Sequence, residues 1–172
     1  MNIAKPNAAE YNAFYQGYVD EVIQEGDIMQ YLKTQRDEVV RFYEGLSQDK
    51  IEYAYEEGKW TMKQMLRHLI DAERVFGYRA MAIARGDKTQ LPGFSEDDYV
   101  VYADDTANTI QDLITEFIQV RNANMSMIQN LNAASLARVG SANGSDTSAR
   151  AIVYIVAGHL AHHLMILKER YL

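Results

Sequence analysis

The chain contains no cysteine. That absence excludes disulfides, thiolate-bound metals, iron–sulfur clusters and a cysteine nucleophile, and it accords with a reducing, cytoplasmic setting. Proline is nearly absent. Pro6 and Pro92 are the two in 172 residues, so long uninterrupted helices are allowed between them. No stretch approaches the ~18 apolar residues of a membrane span. The polar residues 1–10 lack the basic and apolar regions of a signal peptide. Positive charge is in deficit: 17 Lys and Arg stand against 24 Asp and Glu, a net charge of −7. Such a surface repels phosphate backbones, so neither a nucleic acid nor a membrane is expected as partner. No Gly-rich phosphate loop and no Ser-centred nucleophile motif occurs.

Helical periodicity is abundant. Four segments carry apolar residues at three- and four-residue spacing. The first, residues 26–46, presents Ile28, Tyr31, Leu32, Gln35, Val39, Phe42, Tyr43 and Leu46. An aromatic stretch before it, with Tyr11, Phe14, Tyr15, Tyr18 and Val22, reads as an extra N-terminal helical segment covering one end. The second segment opens on a Thr61-x-x-Gln64 capping box, with Trp60 and Met65 placed as a hydrophobic staple, and closes at Gly86. Residues 86–106 then read as a long acidic loop, the kind that often has a function. The third segment spans residues 107–131. A polar connection, 132–147, leads to the fourth, 148–171. No segment shows strand alternation. Four apolar stripes must bury one another, and an all-α four-helix bundle is the simplest arrangement that does so. One domain, 1–172, accommodates it; a chain this size buries roughly 68–70% of its unfolded surface without staples.

The chemistry concentrates in histidine. The chain has four: His68, His159, His162 and His163. His159 and His163 are four apart and share a helix face, so both imidazoles can reach one ion at roughly 2.0–2.1 Å. His68 sits at the margin of the second stripe, where packing of the second and fourth helices can add a third nitrogen. Three protein nitrogens with an open position is the pattern of a catalytic metal site. His162 points about 100° away and reads as a surface or supporting residue, or as a substitute for one partner. Asp71 is placed to orient His68 or to act as a general base. Glu73 and Arg74 read as surface ion pairs. Gly158 marks either helix packing or close approach of another backbone or ligand. Two metal motifs are absent. No histidine has Glu three residues before it, as di-iron bundles require, and Leu160 stands where a zincin has its Glu.

Several segments together resemble the DinB-like metal-dependent bundles, in particular their YfiT-like branch. These are Lys59-Trp60-Thr61 leading into His68-Leu69-Ile70-Asp71-Ala72-Glu73-Arg74, then Gly158-His159-Leu160-Ala161-His162-His163, and the closing Lys168-Glu169-Arg170-Tyr171-Leu172. The resemblance implies an up-down-down-up bundle, often a homodimer, with a nickel or zinc site whose ligands here are His68, His159 and His163. It also implies a low-molecular-weight thiol as cosubstrate in some members. The expected function is therefore a metal-dependent enzyme, either a thiol S-transferase or a hydrolase acting on a small-molecule substrate. The alternatives are a non-catalytic metal-binding stress-response or interaction module, and a metal-free helical protein with histidines in its core.

Overall fold

The computed structural model describes residues 3–22 and 27–172. The expected start of the first long helix at Gly26 lies outside them. In chain order the elements are helices α1 (Gln16–Glu21), α2 (Ile28–Glu44), α3 (Gln48–Ile51), α4 (Met62–Ala84), α5 (Glu96–Tyr102), α6 (Ile110–Gln129) and α7 (Ala133–Leu136), strands β1 (Val139–Ala142) and β2 (Ser145–Ser148), and helix α8 (Ala149–Ile166). α8 ends in one wider turn, Leu167–Tyr171.

The four long helices form a bundle, and cross-helix pairs fix its directions. Arg67 and Glu73 of α4 meet Glu116 and Arg121 of α6 in the same order along both helices, so the two run parallel. Residues 85–109 must therefore return along the full height of the bundle. Gln35 meets Ala157, and Glu38 meets Lys168 just beyond α8, so α2 and α8 are also parallel. His68 meets His163 while Phe76 meets His159, so α4 and α8 are antiparallel. The result is the expected up-down-down-up order.

Two apolar clusters fill the interior. One holds Leu32, Phe76, Ile152 and Val156; the other holds Val39, Leu69, Phe117 and Leu160. Every long helix changes from one cluster to the other at one level, and each carries buried polar groups there: Gln35, His68 and Glu73, Arg121, and His159. Glu73 corrects an expectation. It is not a surface residue but only 3% exposed, and its carboxylate meets Arg121, itself 1% exposed, at 2.5 Å. Asn124 donates to both the side chain and the backbone carbonyl of Glu73. Arg74 does pair at the surface, with Glu116 at 2.7 Å.

Two connections differ from their sequence reading. The acidic loop contains α5 and a short turn, Asp105–Ala107. The polar connection contains α7 and a β-hairpin in which Val139 faces Ser148 and Ala142 faces Ser145. Asn143 and Gly144 make its two-residue turn, with φ of 52° and 74°. Asn-Gly tolerates two positive φ values, and such turns match strand twist. That dipeptide was the available signal, and four-residue strands are too short to show alternation. Leu91 docks beside the hairpin, its N–H donating to Ser141 at 3.0 Å. The stretch Ala149–Tyr171 is long and apolar enough to cross a membrane by composition, but 67% of that window is buried in the bundle.

Gly158 is a close-approach position. A Cβ there would lie 1.8 Å from the Tyr18 carbonyl oxygen, so α1 packs directly on the backbone of α8. Gly158→Ala is expected to lose about 1–3 kcal/mol in denaturant unfolding through overpacking, despite the helix propensity alanine adds. Stability at or above wild type would contradict the contact. Glu73→Ala strands the Arg121 charge in the core and is expected to lose about 3–5 kcal/mol in the same assay. A loss under about 1 kcal/mol, typical of an exposed pair, would show that the charge is not stranded.

Candidate metal centre

Local sequence sets the two helices that carry the site. At the start of α4, Thr61 Oγ1 accepts from the Gln64 N–H at 3.1 Å, and Gln64 Oε1 accepts from the Thr61 N–H at 2.9 Å. This reciprocal cap fixes where α4 begins and hence where His68 points. At the start of α8, Ser148 Oγ accepts from the Ala151 N–H at 3.1 Å and donates to Glu10 at 2.7 Å. Arg67, beside His68, locks α4 laterally. Its guanidinium forks onto Asp105 at 2.7 and 2.8 Å and onto Glu116 at 3.0 Å, tying α4 to the crossover and to α6.

The structure brings His68, His159 and His163 together. Their Nε2 atoms form a triangle with sides of 3.0, 3.2 and 3.2 Å. Among the described residues these three are the group spaced to hold a metal ion. Nitrogens each roughly 2.0–2.1 Å from a shared ion lie about 2.8–3.4 Å apart for bond angles between square and tetrahedral, so the triangle fits one. Hydrogen bonding alone does not satisfy it. A neutral imidazole nitrogen is either a donor or an acceptor. Three such nitrogens in a triangle always leave at least one edge with two donors or two acceptors face to face.

Burial decides the protonation. Removal from water pushes His68 down to about 4, with Asp97 acting weakly in the opposite direction. Burial, reinforced by repulsion from His68 and His162, pushes His163 down to about 3. His159 falls well below its usual range for the same reasons. All three are neutral near pH 7, as metal ligation requires.

The triangle opens into a cavity of about 260 Å³. Trp60 lies over His68 with ring centres 4.8 Å apart, while Tyr18 and Phe76 flank His159 at 5.6 and 5.7 Å. Phe14, Tyr15 and Phe94 extend the aromatic wall, and Arg79, Glu96 and Asn143 supply its polar groups. The aromatic stretch expected to cover one end of the bundle lines this cavity, because the fold of α1 over α8 turns it toward the histidines. The acidic loop contributes Phe94 and Glu96, in keeping with its unusual length.

Two other candidates stand apart. Asp71 makes no hydrogen bond or ion pair with the imidazoles. Arg67 and Arg74 hold it at 3.9 and 3.7 Å, and it lines a neighbouring cavity. Its carboxylate is engaged by the two arginines that also hold Glu116 of α6. His162 lies outside the triangle, 3.5 Å from Glu21 and beside the Tyr18 ring.

The sequence profile of the DinB superfamily matches residues 31–167. The chain belongs to the DinB superfamily. The structure of YfiT from Bacillus subtilis, described as "a probable metal-dependent hydrolase with an unusual four-helix bundle topology", is similar with a TM-score of 0.76 at 13% identity, over 96% of this chain and 90% of that one. The mycothiol-dependent maleylpyruvate isomerase is similar with a TM-score of 0.65 at 10% identity, over 80% of this chain and 58% of that one. At these identities the likeness shows the fold. No curated protein matches the chain.

The buried histidines give this DinB-superfamily fold a defined acid response. Their folded pKa values lie below the unfolded value near 6.5, so the unfolded chain binds more protons in acid. Metal-free stability is therefore full above pH 6.5 and falls as pH drops toward 4 and 3. His68 alone accounts for roughly 3 kcal/mol of that fall. Denaturant titrations of chelator-treated protein from pH 7.5 to 4.5 should show it, with a shallower slope in His68→Gln. Equal slopes would mean that His68 is not held neutral by burial.

Proposed function

We propose that the chain is a metal-dependent enzyme in which His68, His159 and His163 hold one divalent ion, nickel or zinc. The observation that carries this reading is the triangle of Nε2 atoms at 3.0–3.2 Å, facing a cavity. A bound ion of this kind lowers the pKa of a coordinated water or thiol and so supplies a nucleophile at neutral pH. A low-molecular-weight thiol would make the protein an S-transferase; water would make it a hydrolase.

The chain's own residues do the rest. The three imidazoles enter already neutral and already spaced, so little rearrangement opposes binding. Trp60, Tyr18, Phe76 and Phe94 exclude bulk water from the reacting region and strengthen electrostatic interactions within it. Burial and Glu21 keep the Tyr18 phenol protonated, so at neutral pH it is a hydrogen-bond donor and not a base. A purely structural ion is normally closed by four protein ligands. Here three candidate ligands face open space among the described residues, which favours catalysis over the non-catalytic module. The description of YfiT as a probable metal-dependent hydrolase and the thiol dependence of the isomerase lend support to the two nucleophiles.

The test is metal content and turnover of protein purified without a histidine tag or nickel column. Wild type is expected to retain about one ion per chain. Loss of a neighbour that orients a ligand typically costs 10–100-fold in affinity, so His163→Ala, which loses the ligand itself, is expected to fall by at least about 100-fold. Turnover of activated esters without thiol, or of electrophiles only with thiol, separates hydrolase from transferase. Metal retained by His163→Ala, or no turnover of either class by the loaded protein, overturns the reading.

A further inference from the structure

Among the described residues Arg79 has no counter-charge. It sits on α4 facing the cavity and is 4% exposed. Among those residues its one hydrogen bond goes from Nη2 to the Pro92 carbonyl at 2.6 Å. The Phe76 and Phe94 rings lie 5.7 and 6.0 Å from its guanidinium carbon. A guanidinium has five N–H donors, and the rest find no acceptor among the described residues. The nearby carboxylates do not pair with it. Asp71 is engaged with Arg67 and Arg74, and Glu96, exposed at the cavity mouth, forms no ion pair with it. Arginine is always charged, and a charge taken out of water without a partner is strongly unfavourable. The cation–π contacts and the carbonyl explain why the side chain is held, and how it anchors the crossover loop. They leave the fork of donors open.

We propose that Arg79 is an anion-binding residue, and that the cavity takes a small monocarboxylate with a flat apolar body, its carboxylate on Arg79 and its other end at the three histidines. The walls support this choice. Phe76 touches both Arg79 and the His159 ring, so a flat ligand lying along that ring has the guanidinium toward one end and the imidazoles toward the other. Carboxylate matches the guanidinium fork in shape and charge. Among the lining residues, Arg79 is the one with a fixed positive charge. A phosphate dianion would therefore be half neutralised, with Glu96 nearby. A volume of about 260 Å³ lies just under the roughly 300–1,000 Å³ of drug-sized pockets, which suits a small ligand.

This assignment names the ligand class of the site proposed above, and its test is independent of the metal. Trp60 is the only tryptophan in the chain and it lines the cavity, so its fluorescence reports occupancy. The experiment titrates chelator-treated protein with phenylacetate and with phenylacetamide, which share a ring and differ in charge. Wild type is expected to bind the acid at least about 10-fold more tightly, the usual worth of a charge-assisted hydrogen bond. Arg79→Gln should abolish the preference, and Arg79→Lys, which keeps charge but loses the fork, should keep part of it. Equal affinities in wild type, no binding of either probe, a preference surviving in Arg79→Gln, or one that appears only after zinc is added overturns the proposal. The acid preference persisting in protein that takes up no zinc would sustain it while the metal reading falls. With zinc loaded, 3-mercaptopropionate against 2-mercaptoethanol shows which reactant carries the carboxylate. An Arg79-dependent preference for the mercaptoacid puts it on the thiol, and equal binding puts it on the second substrate.

Discussion

Three neutral imidazole nitrogens held about 3 Å apart in the wall of a cavity cannot all satisfy one another. Each is a donor or an acceptor, and a triangle of such groups always contains a mismatched edge. Burial closes the simplest escape, since protonating the rings would place repelling charges in a low-dielectric region. A shared cation would resolve the mismatch by accepting all three lone pairs at once. The rest of the structure can be understood as the scaffold that forces this arrangement on the chain.

That scaffold is a polar level across the middle of an apolar bundle. Glu73 and Arg121 meet there, and Gln35 reaches both the Ala157 carbonyl and the vicinity of Arg121. Such groups are paired only in one register, because sliding α4 or α6 by a turn would bury a charge without its partner and sliding α2 or α8 would strand the Gln35 amide. Arg67 extends the same logic sideways by clamping the crossover to α4 and α6. Ion pairs thus fix the height of α4, which carries His68, against α6, and the Gln35 hydrogen bond to Ala157 fixes that of α8, which carries His159 and His163, against α2. The glycine at 158 lets α1 lie against α8, and this brings Tyr18 beside the histidines.

Much of this was legible in the sequence. Four stripes at helical spacing named the bundle, and the Thr61–Gln64 box located the start of α4 to the residue. The His159–His163 pair was readable because one helix turn determines which side chains share a face. His68 was placed only by its position at the edge of a stripe together with the family resemblance, since a contact 91 residues distant leaves no local trace. The cavity walls were not legible. Whether an aromatic residue such as Tyr18 packs into a core or lines a pocket depends on what lies across from it, and periodicity is the same in both cases. Glu73 was misread for a related reason: its buried partner, Arg121, lies on another helix. The hairpin did leave a mark, Asn143-Gly144.

The central claim concerns coordination, and X-ray absorption spectroscopy at the metal edge addresses it directly on protein that has never met a nickel column. The account predicts a single site with three imidazole nitrogens at roughly 2.0–2.1 Å, their outer-ring scattering evident, and at least one further light ligand from solvent. A spectrum dominated by carboxylate or water oxygens, with fewer than three imidazoles, would contradict it.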